Sequence, residues 1–238
     1  MSVDDKDDVP PGLSGDSAGT ILGGVKQKLI DTKEQWARDG RGMSAEVPQS
    51  ASGDKPRLPP GQRLTQDFPV LDLGVRPAID LRDWRLTVSG LVENPIDWGW
   101  EDFRAQPQTK FTTDIHCVTT WSRYDNAWEG VSAEQFLSVV KPKPEAAHLI
   151  FHCHDGYTTN VPLKAFADDD VVIAHSWNGE PLSREHGGPI RPIIPKLYFW
   201  KSAKWCKHIT FLDKDAPGFW EVRGYHNNGD PWKEERYG

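Results

Sequence analysis

The chain has 238 residues, 37% hydrophobic and 26% charged, enough for one large core or two small ones beside a polar appendage. Its formal net charge of -7 argues against nonspecific nucleic-acid binding, which needs clustered Lys and Arg. No window approaches the ~20 apolar residues of a transmembrane segment, the acidic residues 1–10 do not read as a secretory leader, and Cys117, Cys153 and Cys206 are too few and too widely spaced for a disulfide framework, so a reducing cytoplasm is the expected home.

Residues 9–19 are rich in Pro, Gly, Ser and Asp and read as disordered. Residues 25–39 place Val25, Leu29 and Trp36 on one side, with Gly40 as a stop, which predicts a helix that docks weakly along a thin apolar stripe. Residues 43–60 return to loop composition, so 1–55 is expected to be a polar, partly disordered extension and 56–238 the globular domain. Within that domain 84–88 alternates and ends at Ser89-Gly90, predicting a strand. Residues 100–105 predict a short helix, 111–118 a β run, and 132–140 a helix opened by a Ser132/Gln135 capping box with Phe136, Leu137 and Val140 facing inward. Further β runs follow at 147–154, at 171–177 before the turn Asn178-Gly179, at 190–194 and at 208–212. The expected class is α+β, mainly β, with mixed sheets and short helices in one domain.

Chemistry concentrates in a few segments. In Asp114-Ile115-His116-Cys117-Val118-Thr119-Thr120-Trp121-Ser122, a cysteine ends a β run and enters a loop, where sites are commonly built. Its thiolate is a soft ligand for a redox metal, although a buried cysteine is also an ordinary core residue. The cluster His152-Cys153-His154 invites a zinc reading, but neighbours on a strand point to opposite faces, and structural zinc pairs are usually two to four residues apart. Asp155-Gly156 reads as a turn. In His186-Gly187-Gly188-Pro189-Ile190-Arg191 the glycines allow close backbone approach to a ligand, and Arg191 offers a planar fork for phosphate. Lys201, Ser202 and Lys204 add charge and donors among Tyr198, Phe199, Trp200 and Trp205. Eleven Trp in all point to a deep core or a lined pocket. Together these segments suggest an anionic cofactor held between a soft metal ligand and a phosphate cradle.

The same segments resemble the molybdenum-cofactor domain of the sulfite oxidase family over about residues 56–238. The resemblance runs through the strand ending at Gly90 with Asn94-Pro95, the Cys117 loop, Trp128-Glu129-Gly130-Val131, Asn178-Gly179-Glu180-Pro181-Leu182, the stretch from His186 to Arg191, and that from Lys201 to Trp205. It implies a sulfite-oxidase-type fold and one molybdenum–molybdopterin per chain, with Cys117 on the metal beside the pterin dithiolene. By the same match, Asp155, His186, Arg191, Lys201, Ser202 and Lys204 would hold the cofactor, and residues 1–55 would be dispensable for binding it. Trp121, Ser122 and Arg123 would form the substrate-facing loop, Arg123 either holding an anionic or S=O substrate or forming a surface ion pair. The Val-Thr-Thr-Trp-Ser stretch after Cys117 looks more like the bacterial protein-methionine-sulfoxide reductase branch, and Phe68-Pro69-Val70-Leu71 carries no Arg where sulfite oxidases place another. With no heme domain suggested, electrons would pass to or from a separate partner. The expected activity is two-electron oxygen-atom transfer on a small S- or N-oxide or sulfite-like molecule; the alternatives are a molybdopterin-binding electron-transfer module and a zinc-binding structural protein.

Overall fold

The computed structural model describes residues 27–39 and 55–238. The disorder expected at 9–19 and most of the loop expected at 43–60 lie outside the described residues. In chain order come α1 (Gln27–Arg38), β1 (Arg63–Leu64), β2 (Leu86–Gly90), β3 (Ile96–Trp98), α2 (Trp100–Ala105), β4 (Thr109–His116) and β5 (Trp121–Ser132). They are followed by α3 (Ala133–Val140), β6 (His148–Cys153), β7 (Thr158–Pro162), α4 (Leu163–Phe166), β8 (Val172–Trp177), β9 (Glu180–Pro181), β10 (Arg191–Ile193) and β11 (Cys206–Leu212). The mainly β reading with short helices therefore holds.

The strands form two mixed sheets. One has six strands, in the order β1-β5-β8-β10, with β4 also on β5 and β9 also on β8. The other has five, in the order β3-β2-β11-β6-β7. β5, with 12 residues the longest strand, was not among the expected β runs. Its first half, Trp121 to Asn126, is polar and is broken by Asp125 at φ +54°, so it reads as a loop. Pairing with β4 along one edge and with β8 and β1 along the other makes it a strand, since tertiary partners outweigh local propensity.

β8 shows why the six-stranded sheet is rigid. Its residues are buried on both faces: Ile173 joins the core shared with β2, β6, β11 and α3, whereas Val172 and Ala174 join a second apolar layer with Trp121, Trp128 and Cys117. In the first core Phe136, Phe151, Phe166 and Phe211 are fully buried. Helix α3 starts at Ser132, whose hydroxyl accepts the Gln135 N–H at 3.1 Å. That is one half of the expected capping box.

The zinc reading fails on the geometry of β6. Cys153 is 1% exposed and faces the core opposite Cys206, while His152 lies on the other face with its Nε2 3.2 Å from the Thr210 hydroxyl. Among the described residues no group of His, Cys, Asp or Glu is placed to hold a metal ion on its own.

Gly130 sits where β5 shifts register against β8, and a Cβ there would lie 2.0 Å from the Ile173 carbonyl oxygen. Gly130→Ala is expected to push the two central strands apart and to cost about 2–3 kcal/mol in urea unfolding. A loss below about 0.5 kcal/mol, the ordinary range of surface changes, would show that the sheet accommodates the methyl.

Candidate active site

Cys117 is the first residue beyond the β4–β5 hairpin ladder, whose last pair is His116 with Ser122. The loop closes on itself. The Cys117 N–H donates to the Trp121 carbonyl at 2.8 Å, the Thr120 N–H donates to the Cys117 carbonyl at 3.0 Å, and Thr120 takes φ +73°. Two side chains brace it from outside. Gln62 Nε2 donates to the Cys117 carbonyl at 3.1 Å, and the buried Arg236 donates through Nη1 to the Val118 carbonyl at 2.6 Å. The Cys117 side chain is thereby held 5% exposed, with the Thr119 hydroxyl 3.2 Å from Sγ.

Cys117 opens onto a cleft lined by aromatic and charged side chains. Six of the residues expected from sequence meet there: Cys117, Trp121, Asp155, Arg191, Ser202 and Lys204. Phe199, Trp200, Trp205, Trp220 and Tyr225 wall it, so part of the large Trp complement does line a pocket. His186 stands just behind. Its ring stacks on Phe68, a cleft residue, with centroids 3.9 Å apart and planes 8° from parallel.

Ser122, Arg123 and Lys201 do not line the cleft. Ser122 follows Trp121 on a strand and so points the other way, its hydroxyl 2.8 Å from His116 Nδ1. Arg123 donates to Asn126 Oδ1 at 2.5 Å and to the Gln66 carbonyl at 3.2 Å, with its guanidinium 4.9 Å from the centre of the Trp177 ring. Lys201 ends a 3-10 turn, Phe199–Lys201, that sends it inward while Ser202 faces the cleft. Its ammonium is wholly buried 2.6 Å from Glu221 and donates to the Asn160 and Asn227 carbonyls at 2.9 and 2.7 Å. The glycines also act differently from expectation. A Cβ at Gly187 would meet the Lys204 Cα at 2.9 Å, and one at Gly188 the Leu182 carbonyl oxygen at 2.1 Å. Their bareness lets two protein segments close together and so positions Lys204, rather than admitting a ligand.

Other cleft residues were not anticipated. Lys33 comes from α1, where one of two lysines on a polar helix carries no signal of its own. Tyr157 closes the segment that holds Asp155 but carries no signal of a role, and Asp72, Trp220 and Tyr225 belong to segments without a motif. For the aromatic ones only the number of aromatic residues pointed their way.

The electrostatics of the cleft fit an anionic, metal-bearing cofactor. Arg191 is 2% exposed, donates through Nη1 to the His186 carbonyl at 2.8 Å and through Nη2 to the Ser202 carbonyl, and leaves Nε without a partner. Its guanidinium lies 4.1 Å from the Phe199 ring centre, and burial lowers its pKa to about 9. Burial, then the nearby Arg191, lowers Lys204 to about 7, although its Nζ donates to the Glu185 carbonyl at 2.6 Å. Among the described residues neither cation has a carboxylate within ion-pair distance. Cations withdrawn from water without counter-ions, Arg191 fully and Lys204 in part, are costly, and a phosphate supplies both the charge and the acceptors they lack. Trp121 Nε1, also in the cleft lining, has no acceptor either. Burial raises the Cys117 thiol, opposed by Thr119, Lys33 and Arg236, so in the free cleft the sulfur keeps its proton; a soft metal bound there would displace that proton to solvent and stabilise the thiolate. His186 is lowered to about 4 by burial and by Arg191, which keeps the ring neutral at ordinary pH.

Two expectations follow. Burial raises Asp155 to about 6, above its unfolded value of 3.8. Its neutral form is favoured in the fold, an advantage present below pH 3.8 and lost as pH rises through 6. Asp155→Asn should therefore stabilise the cofactor-free protein by up to about 3 kcal/mol at pH 8 and hardly at all at pH 3.5. Equal effects at both pH values in urea unfolding would contradict this. Lys201→Met should cost about 3–5 kcal/mol by stranding Glu221, and adding Glu221→Gln should recover much of the loss. A neutral single substitution would mean that the pair is dispensable.

The family model for the oxidoreductase molybdopterin binding domain matches residues 73–220. The chain is 47% identical over 182 residues to the uncharacterized oxidoreductase YuiH of Bacillus subtilis, covering 76% of this chain and 92% of that one. It is 29% identical over 171 residues to the putative protein-methionine-sulfoxide reductase subunit YedZ1 of Azospira oryzae, covering 70% of this chain and 64% of that one. With the sulfite oxidase of Arabidopsis thaliana it shares 26% identity over 188 residues, 64% of this chain and 48% of that one. Among solved structures, the sulfane dehydrogenase SoxCD from Paracoccus pantotrophus has a similar fold, with a TM-score of 0.56 at 20% identity, covering 79% of this chain and 62% of that one. With a family model that matches most of the chain, from residue 73 to 220, and a relative at 47% identity covered over 92% of its length, the chain belongs to the molybdopterin-binding oxidoreductases of the sulfite oxidase family.

Proposed function

We propose that this protein is a molybdopterin-dependent enzyme that carries out two-electron oxygen-atom transfer on a small S- or N-oxide or sulfite-like substrate. The observation that carries the reading is one cleft holding both a braced cysteine and two cations, the buried Arg191 and the half-buried Lys204, with no ion-paired carboxylate among the described residues. The bound cofactor would supply the two-electron chemistry, one molybdenum per chain and no heme. Cys117 would be the protein ligand to the metal, its thiolate aimed by the closed loop from Cys117 to Trp121. Arg191 and Lys204 would hold the terminal phosphate, with the Arg191 Nε as the first vacant donor. Ser202 and Asp155 would contact the pterin, and the neutral His186 would back that wall through Phe68.

Trp121 would border the substrate, and its neighbours Trp220 and Tyr225 would exclude water from the reacting end. Arg123, committed to Asn126 and to the Trp177 face, has no part in this reading. Electrons would be exchanged with a separate partner. No helix among the described residues is long and apolar enough to cross a membrane, and the three free cysteines favour a cytoplasmic location as part of the same proposal.

The test uses protein made in a molybdenum-competent host, assayed for metal and for turnover of sulfite and methionine sulfoxide with an artificial electron carrier. The wild type should hold about one molybdenum per chain, Arg191→Ala should come out empty, and Arg123→Ala should stay loaded. A buried charge-assisted bond contributes about 1.5–3 kcal/mol, enough to decide retention of the cofactor. Full occupancy in Arg191→Ala would remove that arginine from the phosphate site. A wild type holding zinc and no molybdenum would refute the reading.

A further inference from the structure

Helix α1 brings a cation to the cleft that the sheets do not supply. Ile30, Lys33, Glu34 and Ala37 have the spacing of one helical face, and each is engaged by the domain. Ile30 is 5% exposed in the apolar layer that includes Cys117 and Trp220. Glu34 pairs with Arg223 at 3.2 Å, and Ala37 lies where a Cβ on Gly224 would come within 3.0 Å. At the centre of this docked face, where an apolar side chain would pack most cheaply, stands Lys33.

Lys33 lines the cleft together with Cys117, its Nζ 5.1 Å from the centre of the Trp220 ring. Among the described residues it has no hydrogen bond and no carboxylate within ion-pair distance. Arg191 and Lys204 already spend donors on carbonyls, whereas all three N–H donors of Lys33 are free to meet a ligand. Burial disfavours the charged ammonium, the aromatic face of Trp220 favours it, and an anion reaching it from the cleft would favour it further.

We propose that Lys33 is a specificity-determining residue that receives a small oxyanion, such as a sulfite or sulfonate group, on the Trp220 side of the cleft. The proposal rests on the oxidoreductase reading above and deepens it. In this protein the anion-recognising cation is carried by the helix before the domain, so α1 is part of the site. A positively charged, partly desolvated ammonium steers and holds an anion and is indifferent to a neutral oxide.

The experiment compares the molybdenum-loaded wild type with Lys33→Met and Lys33→Arg. Molybdenum content, sulfate binding by titration calorimetry, and the KM and kcat for sulfite and for dimethyl sulfoxide are measured. Sulfate serves as an unreactive oxyanion probe. Lys33→Met should keep its molybdenum, bind sulfate about tenfold more weakly or worse, and raise the sulfite KM much more than it changes kcat. Dimethyl sulfoxide kinetics should change less than threefold, and Lys33→Arg should restore sulfate binding to within about threefold. Unchanged sulfate binding by a fully loaded Lys33→Met would overturn the proposal while leaving the oxidoreductase reading intact. So would a wild type that holds molybdenum but binds no sulfate. Loss of molybdenum from Lys33→Met would overturn it by making Lys33 a cofactor residue. A wild type without molybdenum would overturn both readings.

Discussion

A guanidinium buried to 2% exposure, bonded to two backbone carbonyls and left with a vacant Nε, is the constraint on which the rest of the site depends. Arg191 is costly to bury in this way, because carbonyl dipoles offset only part of the desolvation of a full charge. The chain commits much local structure to keeping it there. β10 starts at Arg191 in the six-stranded sheet, Phe199 covers its face, and Ser202 fixes the returning segment by accepting the Ile194 N–H at 3.0 Å. Gly187, free of a Cβ, lets Lys204 settle beside it. The resulting concentration of positive charge belongs in a protein whose ligand is an anion, and the Cys117 loop shares the cleft with it.

The two walls of the cleft are held by different means. The Cys117 loop is fixed by backbone bonds within the hairpin and by Arg236 and Gln62 from distant parts of the chain. The cation wall is fixed through β10 to β8, which is packed on both faces and cannot shift without disturbing two apolar layers. The relative placement of sulfur and cations is therefore a property of the sheet and not of flexible loops, which is what a long ligand gripped at two points requires.

Much of this was legible in the sequence where local chemistry and local structure agree. Cys117 at the end of a β run, the turn at Asp155, and Arg191 at the start of a strand could be placed because each motif borders a regular element. Side chains whose direction depends on a distant partner were not legible in the same way. Lys201 and Ser202 are neighbours with similar donor chemistry, yet the 3-10 turn sends one to Glu221 and the other to the cleft. Arg123 reads from sequence as either a substrate residue or a surface ion pair, because Asn126 and Trp177, which occupy it, are brought together only by the pairing of β5 with β8. Lys33 was invisible for the opposite reason: the stripe on α1 is thin, and only the docked helix shows that a cation lies in the middle of its buried face.

The central claim is that Cys117 supplies a protein sulfur to a metal whose cofactor is anchored at Arg191. Molybdenum K-edge X-ray absorption of the loaded protein tests it most directly, by counting sulfur neighbours in the wild type and in Cys117→Ser. The account predicts that the substitution removes one sulfur from the metal's shell while Cys153→Ser and Cys206→Ser leave the count unchanged. An unchanged count in Cys117→Ser would contradict it.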